Sequence, residues 1–579
     1  MPSLVSVVSK GKKYWRIVES RRINGKPRPI PICYLGTIEN ILEKFSQGTP
    51  RKENELLSIQ SFSHGSIAVL MAVAQELNIV SIIDKHTNFS SIGQTLLLAA
   101  LNRAICPRSK RGWTEWAKKT SISRFFPNLD LDQMTSQYFW SEMHKIPEKA
   151  LESIEEELTK KVVDLYGIGL ETLFYDTTNF FTYIDSENHR CSLPQRGRNK
   201  QKRADLRQFS LAVLVSKDGR IPLCTHTYEG NKVDVTQFPD SLTQIRKRLQ
   251  GLVGELNKVT IVYDKGNNSI YNQEYVDNSE IGYIASLSLN HHSDLRKISI
   301  NEYCSILEGK LKDIKTYRLT KEIWGRERTV VLFISEKLQE GQIRGFRKNI
   351  LKALEKLQKW QERLDKPNTG PKTKDNAKKQ IDNILSGQYC KDVLKVAYDE
   401  SKDKKDRLIW ELDVKKQESF EKELFGKRIL ITNRHDWSTE DIITGYHGQG
   451  HIERVFKQCK DDEHFAIRPQ FHWTDQKIRV HVFICLLALM LGQIIERKAR
   501  QYGKKESLSM IIESLSSIRL ALVLENASGK KSQQITWTLE NVPKDLQDFF
   551  QSLVPNKAPF VYTKNSRKNR VQKPSKEKN

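Results

Sequence analysis

The chain has 579 residues, too many for one ordinary core at roughly 100–200 residues per domain, so several cores are expected. Lysine and arginine number 95 against 70 aspartates and glutamates, and the net charge of +25 points to a polyanionic partner, nucleic acid before a membrane surface. The start MPSLVSVVSKGKKYW lacks a long apolar run, the eight cysteines form no C-x-x-C pair, and the most apolar window, 480–495, is shorter than the ~20 residues of a spanning helix, which argues against a secretory signal, a disulfide framework, a structural zinc and a membrane span.

Residues 1–50 contain YWRIVESRRINGKPRPIPICYLG, in which Asn24-Gly25 separates two alternating runs. That is the signal of a β-hairpin, placed either for packing or for DNA contact. From 51 to 165 apolar positions recur at three and four in SIAVLMAVAQELNIVSIID and SSIGQTLLLAALNRAI, and Pro107 ends the second run, so a helical, DNA-binding region is expected. Lys110, Arg111, Trp113, Trp116, Lys118 and Lys119 mix basic and aromatic groups. They suit a surface that tracks a DNA backbone, or a solvated helix with two core tryptophans.

At Leu170 the period changes from helix to strand, and LETLFYDTT is a short apolar run ending in Asp176. A basic loop follows with Arg196, Arg198, Lys200, Lys202, Arg203 and Arg207, either a phosphate-contacting or a solvated segment. Two alternating strands, FSLAVLVS and IPLCTHTY, meet at the turn Lys217-Asp218-Gly219. A helix from about Asp234 to Leu249 leads to a third apolar strand, KVTIVYDKGNN, which ends in Asp264. Residues 166–290 therefore read as a mixed α/β sheet, where acids at the C-terminal ends of adjacent strands project into one crevice.

Residues 291–426 read as an inserted domain, with a hairpin TYRLTKEIWGRERTVVLFIS, an amphipathic helix and a polar linker DKPNTGPKTKDN. Ile343, Phe346, Ile350, Leu354, Leu357 and Leu364 share one side of that helix, and Trp324 in the hairpin either packs or stacks on a base. The sheet is expected to resume over 427–500 with KRILITN, a helix capped by Ser438 and Asp441, and the apolar helix around 480–495 as its cover. Residues 501–555 form a C-terminal region, and the basic tail 556–579 is too poor in apolar residues to fold.

Within YHGQGHIERVFKQCK, Tyr446, Gln449, Glu453 and Lys460 fall within an arc of roughly 60° at about 100° per residue of helix. A phenol, an amide, an acid and an ammonium on one stripe suit a single anionic ligand, although Gly445, Gly448 and Gly450 weaken the first turn. Asp176 and Asp264 at strand ends, with Glu453 after the insertion, are a set of three carboxylates able to hold two Mg2+ or Mn2+ ions. Two such ions ~3.5–4 Å apart clamp both oxygens of an in-line phosphoryl displacement. His447 and His451 lack the H-E-x-x-H pattern, so a zinc hydrolase is not expected.

YDTT at Asp176, VYDKGN at Asp264 and Y-x2-Q-x3-E-x6-K from Tyr446 to Lys460 resemble the DDE transposases of bacterial insertion sequences, in the group with a Tyr-Arg-Glu-Lys signature. The YHGQ-x2-IE wording, YEGN at Tyr228 to Asn231 and the VESRRINGK hairpin are similar to one long subgroup, so the resemblance runs from about residue 14 to 500. It implies an RNase H-like core split by an insertion. It also implies two Mg2+ ions on Asp176, Asp264 and Glu453, and a homodimer acting on double-stranded transposon ends and target DNA. Water attack would free a 3′-OH, which then attacks another phosphodiester, and Tyr446, Gln449 and Lys460 would lie at phosphates near the transposon end. Gln449 stands where the signature has Arg and lacks its charge and bidentate fork. The expected setting is the cytoplasm, at the nucleoid. Two other readings are a silent DNA-binding descendant, which would be expected to have lost one acid, and an RNase H-like nuclease that cuts without joining.

Overall fold

The computed structural model describes residues 2–554 apart from 10–11, 24–25, 39, 41–54, 186, 200, 289–291, 365–373, 404–406, 527–532 and 541. The Asn24-Gly25 turn, Lys200, linker residues 365–373 and the tail 556–579 lie outside the described residues. The chain divides into two compact units, one of Met1–Leu165, Phe180–Pro194 and Phe456–Asn579, the other of Tyr166–Asn179 and Gln195–Val455.

The first unit opens with an antiparallel sheet of β1 (Pro2–Ser9), β2 (Lys12–Ile23) and β3 (Lys26–Gly36). β2 and β3 pair from Ile23 opposite Lys26, as the hairpin reading expects. The region expected to be helical begins instead with β4 (Glu55–Ser63), which pairs with the distant strand Arg519–Asn526. Helices Gly65–Glu76, Ile79–Thr87 and Ile92–Ile105 follow, and the first and third are buried almost all round. Their core partner is the helix Asp475–Gln501, started by Thr474, whose side chain accepts from the Lys477 amide. With 27 residues it is long and apolar enough by length and composition to cross a bilayer, yet it is buried against protein. The expectation that it covers the sheet is corrected: it packs on Gly65–Glu76, Ile92–Ile105 and Leu508–Ser516 of the first unit. A stripe apolar all round needs helices on several sides rather than one sheet face.

The second unit is built on a nine-stranded mixed sheet. Its strands are β5 (Thr172–Thr182), β6 (Arg207–Ser216), β7 (Pro222–Glu229), β8 (Thr260–Tyr263), β9 (Gly282–Leu287), β10 (Cys304–Ser305), β11 (Lys315–Ile323), β12 (Arg326–Ile334) and, after a smaller ribbon of β13 (Leu394–Tyr398) and β14 (Leu408–Leu412), β15 (Lys427–Thr432). Their spatial order is β10-β11-β12-β15-β9-β8-β5-β6-β7. β5, β8 and β9 run parallel, while β15 lies antiparallel between β9 and β12. TIVY and GYIASL are buried at every position, the pattern of parallel strands covered on both faces.

The hairpin β11–β12, read from sequence as part of the insertion, belongs to this sheet. Arg328 on β12 is 1% exposed and grips Asp277 through both terminal guanidinium nitrogens, at 3.0 and 2.7 Å. Its Nε also donates to the Ile323 carbonyl at 2.9 Å. The rest of the expected insertion does have its own core, in which Phe346, Ile350, Leu357 and Leu364 of helix Glu336–Leu364 meet Leu394, Leu408 and Phe420.

Candidate active site

β5 and β8 pair in parallel with Thr172 opposite Thr260, Leu173 opposite Ile261 and Phe174 opposite Val262. The pairing ends at Phe174 and Val262; extended by two positions, the same register would bring Asp176 level with Asp264, the residue that follows β8. Both aspartates are half-buried. Asp264 follows β8 and begins a short turn, where Oδ1 accepts from the Lys265 amide at 2.7 Å and from Ser286 Oγ at 3.0 Å. The Lys265 amide also reaches Ser286 Oγ at 3.2 Å, and Asn268 Nδ2 donates to the Ser286 carbonyl at 2.6 Å. β9 therefore fixes the carboxylate of its neighbour β8.

Tyr446 lies on the helix Thr439–His447, whose N-cap is Ser438, with its side chain accepting from the Asp441 amide at 3.0 Å. This matches the capping signal in the sequence. The phenol is buried, with its hydroxyl 3.4 Å from Asp264 Oδ1 and 3.3 Å from Arg428 Nη1. The Arg428 guanidinium carbon stands 5.7 Å from the centre of the ring. Burial raises the Tyr446 pKa and the Asp264 charge adds to the rise, so the phenol stays protonated and acts as a donor.

The single helical stripe expected from Tyr446 to Lys460 is divided. One helix ends at His447 and a second, Gly450–Cys459, begins after a turn at Gly448 and Gln449. Gly448 is required at this junction by a close approach: a Cβ there would stand 2.2 Å from Phe174 Cζ. His451 then stacks on the same Phe174 ring, with centroids 5.3 Å apart and planes 14° apart. The Gln449 carbonyl starts the second helix by accepting from the Ile452 and Glu453 amides at 3.1 and 3.3 Å. Because Phe174 precedes Asp176 by two residues on one face of β5, this junction sits over the aspartate side of the sheet. Tyr446 is buried, Gln449 half-buried and Glu453 exposed, so they do not form one exposed face. Lys460, half-buried, follows the second helix in the first unit, where its ammonium stands 5.5 Å from the Phe180 ring centre.

Two carboxylates, Asp176 within β5 and Asp264 just past the end of its parallel neighbour β8, are a donor set that fits a hard divalent cation. Among the described residues, no group of three His, Cys, Asp or Glu side chains is arranged to hold a metal ion, so Glu453 does not close a triad with Asp176 and Asp264 in this structure. The exposed position of Glu453, in the first turn of a helix that starts anew at Gly450, accounts for this.

The basic loop is tied to the edge of the same sheet. Gln195 and Gln208 exchange backbone bonds of 2.9 Å in each direction, and Gln208 Nε2 donates to the carbonyls of Gly230 and Arg198 at 2.8 and 3.1 Å. Gly230 of YEGN is forced by this closure, since a Cβ there would meet the Gln208 carbonyl oxygen at 1.8 Å. Asn199 ties the loop to the Gly197 and Arg203 carbonyls at 3.2 and 3.0 Å. Arg196, Arg198, Lys202 and Arg203 are exposed and Arg207 is half-buried. Arg203 is engaged by Asp205 through bonds of 2.8 and 2.6 Å, and that interaction holds the Asp205 carboxyl down to about 2.

Sequence reading missed Ser286 and Arg428, which complete the surroundings of Asp264. Arg428 carries a faint signal, a charged residue inside KRILIT. Ser286 carries none, because a serine in GYIASLSL reads as ordinary strand.

No family model matches the chain, and no curated protein matches its sequence. Among solved structures, the chain aligns with that of a piggyBac transposase synaptic complex with hairpin DNA at 8% identity, covering 89% of this chain and 90% of that one. The TM-score is 0.34, a level that does not define a shared fold.

Proposed function

We propose that the protein is a metal-dependent DNA transposase of the DDE type, which frees a 3′-OH at the ends of an insertion sequence and joins it to target DNA. The carrying observation is the parallel pairing of β5 with β8 up to Phe174 and Val262, two residues before Asp176 and Asp264, with Phe174 against the helix junction that leads to Glu453. An RNase H-like core is the reading of that sheet which the sequence resemblance favours. Asp176 and Asp264, with Glu453 brought in from its helix, would hold Mg2+ or Mn2+. When bound, such a pair of ions supplies charge stabilisation to the phosphoryl group and lowers the pKa of the attacking hydroxyl.

The chain's own residues then have distinct tasks. Ser286 and the Lys265 amide orient the Asp264 carboxylate. Arg428 brings a fixed positive charge next to Tyr446, which offsets the loss of the signature Arg at Gln449. Arg196, Arg198, Lys200, Lys202, Arg203 and Arg207 draw in the DNA backbone. Tyr446, Gln449 and Lys460 remain assigned to phosphates near the transposon end, and the working form is a homodimer on paired ends in the nucleoid.

The test is a strand-transfer assay with end-containing DNA and Mg2+. Asp176→Asn, Asp264→Asn and Glu453→Gln should each lower cleavage and joining together, on the order of 10³-fold or more, because residues acting as a unit fail as a unit. Cleavage without joined product by the unaltered protein would make it a nuclease. Full activity in any of the three variants would remove that residue from the site.

A further inference from the structure

The long helix Glu336–Leu364 buries one side in its own core and turns the other to solvent. On that outer side Lys348, Lys352, Lys356, Lys359 and Arg363 fall within an arc of about 80° at about 100° per residue, and all five are exposed. From first to last they span about 22 Å of helix. No acid of the helix lies within the arc, and Glu355 and Glu362 stand at one edge of it. None of the four lysines has an ion-pair partner among the described residues.

Helix stability alone would choose a different sequence. Lys348 and Lys352, Lys352 and Lys356, and Lys359 and Arg363 are four apart, where like charges repel and an acid would have paired. Gly341 and Gly345 continue the same arc toward the helix start, and no other part of the described chain lies within 4 Å of a Cβ built on either. Glycine inside a helix costs stability, and no packing within the described chain requires it at these two positions. The helix packed alongside, Lys374–Ile384, adds exposed Lys378 and Lys379 against an exposed Asp375, its Asp382 being taken up by Lys391 at 2.7 Å. Two bare positions in line with unpaired lysines describe a surface that something negative approaches closely.

We infer that this line of lysines, with the glycines at its head, is a second surface for duplex DNA, which grips successive phosphates without reading bases. The assignment rests on the reading of the chain as a DNA-processing enzyme, but on neither its metal site nor the basic loop 196–207, which lie on other elements. A protein partner fits less well, because protein interfaces have an apolar centre and are depleted in lysine. A membrane surface fits less well too. The apolar side of the helix is committed to the core through Phe346, Ile350, Leu357 and Leu364, so it has no face to lay into lipid.

The experiment measures binding of the full chain to duplexes of unrelated sequence by fluorescence anisotropy, without Mg2+, over a range of salt. Lys352→Ala/Lys356→Ala/Lys359→Ala should lower the slope of log affinity against log salt by about 2 to 3 for every duplex. The same three positions changed to arginine should keep the slope, which guards against misfolding as the cause. Gly341→Gln/Gly345→Gln should weaken duplex binding several-fold while the melting temperature holds or rises, because glutamine is the better helix former. An unchanged slope in the alanine variant, or unchanged affinity in the glutamine variant, would overturn the assignment. An unchanged slope together with lost binding to phosphatidylserine vesicles would give the surface to a membrane instead. No duplex binding by the unaltered protein at any salt would reject the wider DNA reading along with it.

Discussion

At Gly448 the backbone comes so close to Phe174 that any side chain would push the ring, and the ring is two residues from Asp176 on the same face. Gly448→Ala should therefore destabilise the second unit by about 1–3 kcal/mol and lower cleavage. Phe174→Leu in the same chain should recover part of both, as read by thermal melting and by cleavage of end DNA. Ser286→Ala addresses the other aspartate. Without the 3.0 Å bond to Asp264, stability should fall by about 1 kcal/mol and the cleavage rate by about tenfold, because Asp264 then rests on the Lys265 amide and the longer Tyr446 interaction. An unchanged rate would mean that Ser286 does not orient the carboxylate.

Elements hold these residues through a few buried polar links. Asp277→Ala leaves the Arg328 guanidinium buried without its partner, and a cost of about 3–5 kcal/mol is expected from denaturant unfolding, with β11–β12 the first part to lose amide protection. The first unit has a pH-sensitive counterpart in His64, which precedes helix Gly65–Glu76 and is bonded to Ser121 Oγ at 2.8 Å. Burial, aided by the Arg124 charge, pushes its pKa from 6.5 down to about 4. As pH falls from 6.5 to 4 the unfolded chain binds a proton that the folded chain refuses, so stability drops, by about 3 kcal/mol in all. His472 and His481 are lowered in the same direction and steepen the loss. Melting curves at about pH 7 and pH 4 would show it, and His64→Gln should reduce the difference. Much at this scale was legible: the strand that leads to Asp264, the Ser438 cap and the amphipathic face of Glu336–Leu364 all follow from period and capping chemistry, whereas the strand expected to end at Asp176 runs on to Thr182. The place of β11–β12 was not, since membership in a sheet depends on partners such as β15 and Asp277 that lie far along the chain. The division of the Tyr446–Lys460 stripe was half legible, because the glycines announced a weak turn but Phe174, which packs against Gly448 there, is distant in sequence.

Across the whole molecule the charge of +25 means that the proposed DNA binding should weaken steeply with salt. Each phosphate that the exposed loop neutralises adds about 1 to the slope of log affinity against log salt, so Arg196→Ala/Arg198→Ala should lower that slope by about 2 for any duplex sequence. An unchanged slope would leave that loop a solvated one. The two-unit division was out of reach of sequence alone, because Phe180–Pro194 and Phe456–Asn579 return to the first unit by pairings such as β4 with Arg519–Asn526. The central claim is that Asp176, Asp264 and Glu453 share metal ions. Loading the protein with Fe2+ and adding ascorbate and peroxide cuts the backbone beside a bound metal. Fragments that end near residues 176, 264 and 453 are expected, all lost together in Asp176→Asn. Cuts elsewhere, or cuts that persist in that variant, would contradict the shared site.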